Sequence, residues 1–172
     1  GSKEALLKKV LERYMVPAHA ELMKKLRLCV PASDEVAPDF YILLKAYIEP
    51  IFSIHKDHPQ FDKMALRILN DPAPQVQKLF LQYFDEAASL FVGLLRKCNL
   101  QLSNKEFYWR LHCVMASITQ LFTGPYQLLR FDERDQLNLS SYDEDEGVEL
   151  VIKSLHKIFM APPELPTELN ES

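Results

Sequence analysis

The stretch SNKEFYWRLHCVMASITQLFTGP (Ser103–Pro125) decides the fold. Ser103 followed three residues later by Glu106 is the S-x-x-E pattern, in which a cap hydroxyl and a carboxylate satisfy free backbone N–H groups, and Gly124-Pro125 stops a helix. The spacing therefore predicts a helix over Asn104–Thr123. Its apolar residues (Phe107, Tyr108, Trp109, Leu111, Cys113, Val114, Met115, Ala116, Ile118, Leu121 and Phe122) cover more of the circumference than one core-facing stripe needs. One side serves the chain's own core, and another calls for a different partner.

The flanking sequence repeats the same period. Apolar residues recur every three or four positions rather than every two, and four glycines in 172 residues leave few hairpin turns, so the chain reads as all-α with about six helices. The first runs from a Ser2 cap to Leu28, with Leu7, Leu11, Tyr14, Ala18, Leu22 and Leu26 on one stripe, and Pro17 predicts a kink or two abutting helices. Asp39 caps a second helix carrying Phe40 to Phe52 and interrupted by Pro50. A short helix over Phe61–Asn70 ends at DPAP (Asp71–Pro74), and Gln75–Asn99 reads as one long helix, apolar enough to be central. Gly124–Tyr142 has no clear period. The last helix opens on DEDE (Asp143–Glu146), whose carboxylates suit the positive end of a helix dipole, and runs to Met160 before APPELP (Ala161–Pro166).

With 48% hydrophobic and 26% charged residues, the composition is that of one soluble, well-cored domain over residues 1–172. The formal charge is −4, and residues 132–172 are net −8, which leaves +4 on residues 1–131. Phosphate neutralisation needs clustered cations, so the chain is a poor DNA binder by itself. Cys29, Cys98 and Cys113 are odd in number and form no CxxC pair, which points to a reducing, cytoplasmic setting. No apolar run reaches the ~18–20 residues of a membrane span.

Chemistry is sparse. Glu-x-x-His, His-Glu-x-x-His, G-x-S-x-G and phosphate-binding glycine loops are all absent, and His55 and His58 read as capping groups at a helix end, so neither a metal, a cofactor nor an enzyme is expected. What the helices do hold is a wealth of aromatic and sulfur side chains: Phe40, Tyr47, Phe52, Phe80, Tyr83, Phe84, Phe91, Trp109, Met115 and Phe122. Arg110, His112, Thr119 and Gln120 are set among them. Two readings stand side by side: a closed core with the polar groups at its surface, or a mostly apolar ligand pocket with a few orienting groups.

Several segments resemble a known family. GSKEALLKKVLERYMVP (Gly1–Pro17) is similar to the stretch that follows the helix-turn-helix in tetracycline-repressor-type (TetR) transcriptional regulators. KAYIEPIFSI (Lys45–Ile54), LRILNDPAPQVQKLF (Leu66–Phe80), FVGLLRKCNLQLSNKEFYWRLHCVMASI (Phe91–Ile118) and ELVIKSLHKIFMAP (Glu149–Pro162) resemble the regulatory domain of the fatty-acid-responsive branch. Tyr108–His112 is the most specific element. The resemblance implies an effector-binding and dimerisation domain, with a DNA-reading helix-turn-helix expected before Gly1 and DNA contacted only through it. It also implies a homodimer formed by the last two helices, for which Leu111, Met115, Ile118, Phe122, Val151, Leu155 and Phe159 are the candidates.

The implied effector is a fatty acyl chain or its coenzyme A thioester. Tyr47, Phe52, Tyr83, Phe84, Trp109 and His112 are the expected wall, with Arg110 meeting an anionic group at the mouth. The chain departs from the branch at Cys113, Ser117 and Gln120, which leaves the head group open. Entry between the first, second, fourth and fifth helices would shift the spacing of the two reading heads through the first helix. A rival reading is a stand-alone helical interaction domain that docks a partner through its acidic end and holds no ligand.

Overall fold

The segment Lys3–Leu28 forms one helix, α1, unbroken through Pro17, so the alternative of two abutting helices is not taken. The computed structural model describes residues 3–33, 35–123 and 144–163; the Ser2 cap, the Gly124–Tyr142 stretch and residues beyond 163 lie outside them. After α1 come α2 (Phe40–Asp57), α3 (Pro59–Leu69), α4 (Pro74–Leu81), α5 (Asp85–Cys98), α6 (Asn104–Thr123) and α7 (Glu144–Met160). The fold is all-α: among the described residues there is no strand, and there are seven helices where about six are expected.

The caps explain most of the boundaries. Asp39 Oδ1 accepts from the Ile42 N–H at 2.9 Å, and Ser103 Oγ accepts from the Glu106 N–H at 3.2 Å, as their positions predict. In the DPAP turn, Asp71 Oδ1 accepts from the Ala73 N–H at 2.9 Å, and Pro74 opens α4, where its missing N–H costs nothing.

The long helix expected over Gln75–Asn99 is two helices. The chain turns at Gln82–Phe84, where the Tyr83 and Phe84 N–H groups bond back to the Phe80 and Leu81 carbonyls, three residues behind, and α5 restarts at Asp85. Neither glycine nor proline marks the break. Its signal is the pair Asp85-Glu86, two carboxylates placed at the positive end of a new helix.

The central element is α2 rather than the 75–99 segment: it touches α1, α3, α5, α6 and α7. Phe40, Leu43, Leu44, Ala46, Tyr47, Ile48 and Phe52 are all buried on it. Two apolar clusters hold the fold. The larger joins the second half of α1 to α2, α5, α6 and α7, with Tyr47 stacked on Phe91 at 4.1 Å and Phe40 on Phe159 at 4.7 Å. The smaller joins Leu11 and Met15 of α1 to Phe61 and Ile68 of α3 and Phe80 of α4. Each such buried side chain contributes about 1.5–3 kcal/mol relative to exposure.

Candidate functional site

A cavity of about 430 Å³ lies where the two clusters meet. Small-molecule sites typically span about 300–1,000 Å³ and are lined mainly by apolar groups, and this cavity fits both marks. Its deep wall is Met15 of α1, Tyr47 of α2, Phe61 of α3, Phe80 of α4 and Ile118 of α6, all buried. Ile51, Ile54, Ala65, Leu69, Phe84, Ala88 and Met115 complete the apolar lining, while Leu81, Asp85 and Thr119 are exposed and mark the side nearest solvent. Six helices supply the wall, because α3 bridges the ends of α2 and α4 and closes one side of a space that α1, α2, α5 and α6 leave open.

Few polar groups face this space. Burial raises the Tyr47 phenol to about 12, so at neutral pH it is an uncharged group in an apolar wall. Thr119 donates its hydroxyl to the Met115 carbonyl at 2.9 Å, which leaves the oxygen's acceptor side free. Among the described residues, Asp85 is the one charged member of the lining, and no lysine, arginine or histidine is part of it.

Of the seven residues expected at the ligand, the structure brings two to the cavity, Tyr47 and Phe84. Phe52 is buried in the larger cluster on the side facing α7 and borders a second, polar hollow, while Tyr83 packs on the smaller cluster outside the cavity. Trp109 and His112 are exposed on α6, ring against ring at 5.8 Å. Arg110 does not reach the cavity mouth. It donates to the carbonyls of Phe159 at 2.7 Å, Ala161 at 2.5 Å and Pro162 at 2.9 Å, and it pairs with Glu106, so it closes the C-terminal end of α7.

The dimer candidates also divide. Met115 and Ile118 line the cavity, and Leu111 and Val151 are half-buried against the larger cluster. Leu155 and Phe159 are enclosed in the same cluster, Phe159 at 0% exposure, so neither is open to a partner. The side chain of Phe122 lies outside the described residues. On α7 the inward face is Val148, Ile152, Leu155 and Phe159, and the outward face carries Leu150 and Ile158. On α6 the outward side carries Tyr108 at 59% and Trp109 at 56% exposure, with Cys113 also exposed. Sequence periodicity marks both faces of each helix as apolar, and only the packing of α6 on α7 tells them apart.

Other chemistry is thin. Among the described residues no group of three or more His, Cys, Asp and Glu side chains is placed to hold a metal ion, and no helix is long and apolar enough to cross a membrane. Burial and the nearby Asp39 raise both the Cys29 and Cys98 thiols, Cys98 to about 12, which disfavours the nucleophilic thiolate.

An all-α bundle with a partly open apolar cavity and a helix pair presenting an apolar outer face has the form of a ligand-binding helical domain. Residues 45–143, more than half of the chain, match the family model described as "Tetracyclin repressor-like, C-terminal domain". The chain belongs to that family, the regulatory part of TetR-type transcriptional regulators. No curated protein and no solved structure matches it.

Proposed function

We propose that this chain is the effector-binding and dimerisation domain of a TetR-type repressor whose effector is a chain-like apolar molecule, the acyl chain of a fatty acid or its coenzyme A thioester. The observation that carries the reading is the cavity of about 430 Å³ between the two apolar clusters. Met15 brings α1 into its wall, and α1 also belongs to both clusters. A ligand that fills the space favours one packing of α1 against α2 and α3 over another, and α1 leads toward the residues before Gly1, where a reading head would lie. The effector and DNA then alter each other's affinity by one common factor.

Dimerisation in this reading uses the outward faces of α6 and α7, with Tyr108, Trp109, Leu150 and Ile158 in place of the buried Leu155 and Phe159. An isologous four-helix contact would cover these side chains, which a monomer leaves in water.

Ala88→Phe tests the cavity directly. Ala88 lines the cavity and is half-buried, so a phenyl ring there occupies ligand space. Thermal shifts with long-chain acyl compounds should be positive for the wild type and lost in Ala88→Phe, with both unliganded proteins melting cooperatively. Equal shifts in the two would sink the assignment of the cavity.

A further inference from the structure

We infer that the cavity selects its ligand by head-group charge, taking an aliphatic chain that ends in an uncharged or cationic group and disfavouring a free carboxylate. This rests on the reading of the cavity as an effector site. The mouth is formed by Leu81, Asp85 and Thr119, the exposed members of the lining, and the buried wall behind them is apolar, so a chain enters tail first and its head stays beside Asp85. Among the described residues, no cationic side chain lines the cavity.

Asp85 has no hydrogen-bond or ion-pair partner among the described residues. Its neighbour Glu86 is engaged on the other side of α5, 3.3 Å from His19 Nε2 and 3.5 Å from Arg27 Nη2, and so leaves the mouth to Asp85. The positive end of α5, which would otherwise draw a carboxylate, is already met by these two acids in its first turn. Arg110, the cation expected at the mouth, is committed to the carbonyls at the end of α7.

A carboxylate head would therefore lie beside a like charge that no cation among the described lining residues offsets, whereas an amine would gain an ion pair, an alcohol or amide could donate to Asp85, and an ester carries no net charge to be repelled. Of the acyl compounds proposed above, the thioester is favoured over the free acid: its linkage is neutral, and its phosphates lie far out along the pantetheine arm, in water.

The test is displacement of an apolar fluorophore from the dimer at pH 7.5 by decylamine, decan-1-ol and decanoate, each below its micelle concentration. The wild type should bind decylamine about 2–5-fold more tightly than decanol, the size of an exposed ion pair, and decanoate more weakly than decanol by a similar factor. Asp85→Asn should bring the three together, and Glu86→Gln should leave their order intact. Decanoate matching decanol in the wild type, or ratios unchanged in Asp85→Asn, overturns the head-group assignment. Displacement by none of the three overturns instead the effector reading beneath it.

Discussion

Tyr47 sits 3% exposed between a ring and a cavity, stacked on Phe91 on one side and lining the cavity on the other. Its phenol is raised to about 12 from an ordinary 10 by burial alone. The sign of the linkage follows: between those values the unfolded chain has released a proton that the folded chain keeps, so stability falls as pH rises through the window and is unaffected below it. Denaturant midpoints should be flat from pH 7 to 8, begin to fall near pH 9 as the raised Cys98 thiol enters its window, and drop further between pH 10 and 12, with Tyr47→Phe reducing only that later drop; an identical loss above pH 10 in Tyr47→Phe would remove Tyr47 as its source. At this scale the sequence is half legible. Tyr47 and Phe84 are recognisable as ligand candidates from their aromaticity, but Trp109 and His112 carry the same signal and face outward on α6. Residue type alone does not say which side of a helix the core takes. Asp85 carries no such signal in the sequence, because its carboxylate gains meaning only once α4 and α5 separate at Gln82–Phe84 and place it beside the cavity.

Arg110 ties two elements together. The last turn of a helix leaves carbonyls without partners and a negative dipole end, and one guanidinium from α6 supplies donors to Phe159, Ala161 and Pro162. Arg110→Met keeps much of the stem and removes every donor, so it should lower stability by about 1.5–3 kcal/mol, the range of a hydrogen bond to a charged group. Amide hydrogen exchange should speed up in the last turn of α7 and remain slow in α2; uniform acceleration would mean that Arg110 supports the whole core instead. Helix positions were largely legible from caps and breakers, because Asp39, Ser103 and the DPAP turn act locally. The α4–α5 break was less so, since no glycine or proline enforces it and the apolar period of Val76 to Leu95 continues across it. Tertiary packing makes that choice: Phe80 turns into the smaller cluster while Phe91 and Leu95 turn into the larger.

Taken whole, the molecule has an inside with room to spare and an outside with apolar side chains to cover. Trp109→Asp with Ile158→Asp places charges on the outward faces of α6 and α7 without touching either cluster. It should convert a dimer to a monomer in sedimentation while the melting of the monomeric fold persists; an unchanged sedimentation coefficient would move the interface elsewhere.

The central claim is an occupied cavity in a dimer, and native mass spectrometry of freshly purified protein reads both at once. With a chain mass of 20.0 kDa, the expected species is a dimer of twice that mass carrying extra mass in steps of one small apolar molecule per subunit, released by gentle activation and reduced by Ala88→Phe. A bare 20.0 kDa monomer that neither pairs nor takes up acyl compounds at any tested concentration would contradict the account.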